Sequence, residues 1–127
     1  MADKYSLPKG ERLSWKRHID LLFAKGQSFV AYPLRIVYLQ TDIPMTSPVS
    51  MMISVPKKKI KKAVGRNRIK RQVREAYRLR KYELLQTRIE KNKPLLLAFL
   101  YLDKDILPTP TMDKAMDKAI RILRNKE

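Results

Sequence analysis

The sequence predicts an α+β domain, an α/β sandwich in which three helices pack on a four-stranded sheet in the order α-β-β-β-α-β-α. Three observations carry that expectation. Apolar side chains recur at helical spacing over 14–25 and 66–92; short runs rich in β-branched and aromatic residues fill 28–40 and 49–55; and Leu95 to Leu102 is apolar without alternation. A chain of 127 residues has room for one domain with a single modest core, so 1–127 is read as one domain, with residues 1–12 as an extended N-terminal segment.

Each element has its own signals. Ser14 caps a helix over 14–25 whose Trp15, Ile19, Leu22 and Phe23 share one face, and Gly26 stops it. Ser28 to Tyr32 and Leu34 to Gln40 read as short strands parted by Pro33. Thr41 to Pro48 holds two prolines and Asp42, a loop composition, and Val49 to Val55 resumes as a strand that Pro56 ends, so a hairpin is expected here. In that strand Val49, Met51, Ile53 and Val55 form a core face, while Ser50, Met52 and Ser54 leave the other nearly bare. From Arg66 to Asn92 no Gly or Pro intervenes, and Ile69, Val73, Ala76, Tyr77 and Leu84 make the buried stripe of the longest helix. Leu95 to Leu102, apolar on both faces, belongs in the middle of the sheet, as parallel strands usually do. Beyond Pro108 and Pro110, Thr111 caps a last helix with Met112, Met116, Ala119, Ile120 and Leu123 on one side.

Composition narrows the chemistry. Lys and Arg total 29 against 12 Asp and Glu, a formal net charge of +17 that asks for a polyanionic partner. The 44% hydrophobic content still supports a folded core. Without cysteine there are no disulfides, thiolate metal sites or cysteine nucleophiles. The one histidine, His18, excludes His-pair metal sites, has no sequence neighbour to orient it as a base, and reads as a surface residue. Met1 to Gly10 carries charges and Pro8 where a signal peptide needs an apolar core, and no apolar run approaches the ~20 residues of a membrane span. A soluble, cytoplasmic, monomeric protein is expected.

The charge is concentrated. Residues 57–81 contain 13 Lys or Arg and one acid, Glu75. Lys57 to Lys62 reads as a flexible basic loop, able to meet phosphates but poor at orienting them. In the helix that follows, Asn67, Arg71, Arg74 and Arg78 fall within an arc of about 60° on the side opposite the Ile69 stripe. Guanidinium groups in such a row fork onto phosphate oxygens, and Asn67 is placed near a helix start whose orphan N–H groups also favour anions. A solvated charged face would ordinarily be laced with acids at i, i+4; here Glu75 is the single acid, and the self-repulsion favours an anion-binding role.

Ala63-Val64-Gly65-Arg66-Asn67-Arg68-Ile69-Lys70-Arg71-Gln72-Val73-Arg74 resembles the signature of the bacterial ribonuclease P protein family, and Ser54-Val55-Pro56-Lys57-Lys58-Lys59 resembles the strand and lysine pair that precede it. Leu13 to Gly26 is similar to that family's opening helix, and Lys61-Lys62 stands where the family commonly has Gly. The resemblance implies a four-stranded sheet like the ribosomal protein S5 domain 2-like fold. It implies a protein that binds ribonuclease P RNA and precursor tRNA while RNA-bound Mg²⁺ removes the 5′ leader, with no cofactor on the protein alone. It also implies RNA contacts at Lys58, Lys59, Arg66, Asn67, Arg68, Lys70, Arg71, Arg74 and, by the helix geometry, Arg78. The leader would follow a cleft between the first helix and the sheet, with Ile19, Phe23, Tyr38 (or Val37), Ser50, Met52 and Ser54 as candidates. Sheet surfaces with small side chains and a nearby aromatic suit unstacked bases.

Other chemistry is thinly supplied. Asp103 and Asp105 are placed to hold one Mg²⁺, but acids after a strand usually cap loops. Catalytic Ser or Thr lacks a partner base, so no catalytic residue is assigned to the protein. The alternative function is a ribosomal or other structural RNA-binding protein, which shares the charge and the fold class. Duplex DNA regulation ranks last, because strands flank the long helix where a helix-turn-helix needs a second helix.

Overall fold

In the computed structural model, which describes residues 16–41, 48–91 and 94–125, seven elements follow in the expected order. They are α1 (Lys16–Lys25), β1 (Gln27–Ala31), β2 (Leu34–Gln40), β3 (Val49–Ser54), α2 (Ala63–Lys91), β4 (Leu95–Tyr101) and α3 (Thr109–Arg124). The extended segment 1–12, the Ser14 cap and Trp15 of the expected first helix, and Asn92 lie outside the described residues.

The sheet order is β1-β2-β4-β3. β1 and β2 form an antiparallel hairpin through Tyr32 and Pro33, whereas β2 and β3 do not pair, so the hairpin expected across 41–48 is absent. β4 takes the place between them, antiparallel to β2 and parallel to β3. The reason is its composition: a strand with Leu, Ala and Phe on both faces loses least by being covered on both, and the middle of the sheet provides that.

Alternation then sorts the side chains into two cores. Toward α2 and α3 lie Leu34, Ile36, Tyr38, Val49, Met51, Leu95, Leu97, Phe99 and Tyr101, closed over by Ile69, Val73, Tyr77, Leu84, Met112, Met116 and Leu123. On the other face Leu22 of α1 seals a smaller cluster with Val37, Leu96 and Ala98. Gly26 makes the α1–β1 junction possible: its N–H donates to the Leu22 carbonyl at 2.7 Å, and a Cβ there would crowd that same carbonyl and the Tyr38 carbonyl, 3.0 Å away.

Two helix starts differ from expectation. α2 begins at Ala63, a turn before Arg66, because the signature run continues the helix back to the lysine turn. α3 begins at Thr109 with Pro110 in its first turn and Pro108 at the cap position, so Thr111 is inside the helix and donates its N–H to the Pro108 carbonyl at 3.0 Å.

Candidate nucleic-acid interface

α2 exposes the residues that its angular spacing places away from the sheet. Asn67, Arg71 and Arg74 are exposed while Ile69, Val73 and Tyr77 are fully buried, so the underside of the helix fixes the direction of its guanidinium row. Arg68 is also exposed; Lys70, nearer the packed side, is partly covered. At the end of the row Arg78 departs from the expected free ridge: its Nε and Nη2 donate to the Glu75 carboxylate at 3.2 and 2.9 Å. That bonding holds the Glu75 carboxyl below the usual carboxylate range. The row left without a hydrogen-bonded acid is therefore Asn67, Arg71 and Arg74, with the Glu75 carboxylate held by Arg78 and close enough to Arg74 to be lowered by its charge as well. Asn67 itself stands in the second turn, and the first backbone-bonded helical N–H is that of Arg66, donated to the Lys62 carbonyl at 3.1 Å. The orphan donors that favour an anion thus belong to residues 63–65, not to the neighbourhood of Asn67.

The basic segment before α2 is a folded turn rather than the flexible loop expected from its lysines. The N–H groups of Lys59 and Ile60 both donate to the Pro56 carbonyl at 3.1 Å, and Ile60 is buried against Gly65, where a Cβ would come within 2.9 Å of it. Arg66 reaches back and donates from Nη1 to the carbonyls of Ile60 and Lys61 at 2.9 and 2.7 Å. Lys59 donates from Nζ to the Leu102 carbonyl at the end of β4. Two of the expected RNA-contacting cations thus brace the turn, and Lys57, Lys58, Lys61 and Lys62 remain exposed around it. Sequence reading left Lys57, Lys61 and Lys62 out of the candidate site, although their position beside the helix start was visible in the charge run.

The second candidate surface is the α1 face of the sheet. Paired residues across the strands line up there in three rows: Leu39, Leu96 and Ser50; Ser28, Val37, Ala98 and Met52; and Val30, Arg35, Leu100 and Ser54. Ile19 packs into the α1 cluster together with Met52, leaving Phe23 as the outward aromatic of α1, 47% exposed. Met52 and Ser54 are partly accessible, but Ser50 is 7% exposed and offers little surface. Tyr38 is on the wrong side for a cleft residue: strand parity turns it toward α2 and α3, where its ring meets Phe29 and its hydroxyl donates to Gln27 Oε1 at 2.9 Å. Val37, the alternative, has the right parity and is buried under Leu22.

Asp103 is engaged locally. It accepts from the Tyr32 hydroxyl and from the Asp105 N–H, the latter at 2.8 Å, and these bonds hold its carboxyl below the usual range. Among the described residues no group of three or more His, Asp or Glu side chains is placed to hold a metal ion.

A family model described as Ribonuclease P matches residues 7–99. The chain is 40% identical over 122 residues to the ribonuclease P protein component of Porphyromonas gingivalis, covering 95% of this chain and 89% of that protein. It is 38% identical over 106 residues to that of Chlorobium phaeobacteroides, covering 76% and 72%. Among solved structures, a mutant RNase P protein of Staphylococcus aureus superposes with a TM-score of 0.72 at 22% identity, covering 90% of this chain and 88% of that one. The RNase P protein of Thermotoga maritima superposes at 0.67 and 23% identity, covering 92% and 98%.

Proposed function

The chain belongs to the ribonuclease P protein family, a subunit of a tRNA-processing complex, and on that premise we propose how its surfaces divide the work. Asn67, Arg68, Arg71 and Arg74, with the exposed lysines of the 57–62 turn, dock on the phosphates of the ribonuclease P RNA. Arg66 and Lys59 hold that turn in place. The 5′ leader of precursor tRNA runs over the α1 face of the sheet past Phe23, Met52 and Ser54. The RNA, with its own Mg²⁺, performs the hydrolysis; the protein supplies positioning and charge in the cytoplasm as a single copy of the chain. The observation that supports this reading is the row of Asn67, Arg71 and Arg74, directed outward by a fully buried underside, with the one neighbouring acid, Glu75, bonded to Arg78. An RNA duplex or loop presents phosphates to such a row, and a guanidinium answers them bidentately.

The test is reconstitution. Added to a bacterial ribonuclease P RNA, the protein is expected to lower the Mg²⁺ concentration needed for cleavage of precursor tRNA. An unchanged Mg²⁺ requirement would reject the proposed division of work.

A further inference from the structure

The four strands contain 25 residues and a single charged one, Arg35. In so basic a chain, the near absence of charge from the sheet follows from the burial of most of its residues. Arg35 is the exception because of where it stands. Strand parity places it on the α1 face, in the row Val30, Arg35, Leu100 and Ser54. α1 covers the neighbouring row through Leu22 on Val37 and Ala98, and of the Arg35 row Leu100 alone packs against that cluster among the described residues. Arg35 is exposed, Val30 is 44% exposed, and Leu100 and Ser54 are partly so. Among the described residues no acid forms an ion pair with Arg35.

This row lies at the same end of the sheet as the lysine turn. The Leu102 N–H donates to the Pro33 carbonyl at 2.8 Å, and the Leu102 carbonyl accepts from Lys59, so the β1–β2 turn, the end of β4 and the lysine turn are tied together. Ser54, at the far end of the row, leads in three residues to Lys57. Arg35 and Ser54 are two strands apart, about 10 Å. A polyanionic strand crossing this row, where Val30 and Arg35 are exposed, therefore meets one cation in its middle and several more where it leaves the sheet. Val30 and Leu100 beside Arg35 give sugars and bases a flat apolar surface.

We propose that Arg35 is a further RNA-binding residue, which grips a backbone phosphate of the single-stranded leader as it crosses the sheet beside the β1–β2 turn toward the lysine turn. The proposal rests on the leader assignment given above and extends it by one row and one charge. The competing structural role for Arg35 is a solvated head whose stem shields Val30 and Leu100.

The experiment measures binding of precursor tRNAs carrying leaders of increasing length, and of mature tRNA, to the reconstituted RNA–protein complex containing wild-type protein, Arg35→Gln or Arg35→Lys. Arg35→Gln is expected to weaken long-leader precursor binding by roughly two- to tenfold, the range for one hydrogen-bonded contact, with mature tRNA unaffected. Its log K against log salt should be less steep by about 0.7, one single-strand phosphate contact, and Arg35→Lys should restore that slope. Equal changes for precursor and mature tRNA, or none for either, would overturn the role of Arg35 while wild-type protein still prefers long leaders. A wild-type protein indifferent to leader length would overturn the leader assignment itself, and this proposal with it.

Discussion

Arginines of one chemical type have three different fates within thirteen residues of α2. Arg66 turns back to two carbonyls, Arg78 is neutralised by Glu75, and Arg71 and Arg74 stay exposed. Position around the helix, together with what lies one turn away, decides among them. Arg71 and Arg74 are consequently the pair whose loss removes charge without removing packing. Replacing both by Ala should leave the unfolding free energy within about 0.5 kcal/mol of wild type, as for surface substitutions in general. Affinity for the ribonuclease P RNA should fall, and the slope of log K against log salt should flatten by about 1 to 2, since each phosphate contact contributes roughly 0.7 to 0.9. Filter-binding titrations across a salt series read both, and an unaltered slope would show that neither side chain touches phosphate.

Helix α2 illustrates how a single element serves two purposes. Its 29 residues span about 43 Å, nearly twice the ~23 Å of the seven-residue β4, so its second half packs chiefly on α3. Along that length the buried face turns, so that Lys81 and Arg88, at about 120° and 100° from Ile69 on the helix wheel, lie on the inner side. Lys81 is 2% and Arg88 1% exposed, and Arg88 Nη2 donates to the Leu123 carbonyl at 3.1 Å. A carbonyl in the last turn of α3 thereby gains a cationic donor, the sign that a helix C-terminus favours. Burial pulls the Arg88 guanidinium below the usual arginine range. The α1–β1 junction is equally constrained. Gly26→Ala would press a methyl against two backbone oxygens that cannot swing away. A loss of about 1–3 kcal/mol is expected from such overpacking, read as a lower urea midpoint.

Across the domain, +17 is a liability for the free protein and an asset in the complex. Self-repulsion among the exposed cations opposes compaction, and salt screens it over roughly 10 Å at 0.1 M. The free protein should therefore melt a few degrees higher in moderate than in low salt, whereas its affinity for RNA should weaken over the same range. Calorimetry alongside binding titrations would show the two trends running in opposite directions; a melting temperature that falls with added salt would refute the repulsion account. The ion pairs Arg80–Asp113, Arg80–Asp117 and Arg124–Glu83 bridge α2 and α3, so three of the five acids on these two helices offset arginine charge where the helices adjoin.

Composition and spacing within single segments determined the element order, the central place of β4, the inward stripe of α2 and the outward direction of Arg71 and Arg74, because each depends on residues close in sequence. The residue identities from Ala63 to Arg74 carried the resemblance to the ribonuclease P protein family. Strand pairing, the bracing roles of Lys59 and Arg66, the capture of Arg78, the burial of Ser50, Lys81 and Arg88, and the turning of Tyr38 into the core required the folded chain. Each of those depends on a partner distant in sequence, or on which layer covers which face. A side chain's spacing sets the direction in which it leaves its own backbone; only the assembled layers settle whether it meets solvent, a carbonyl or another core.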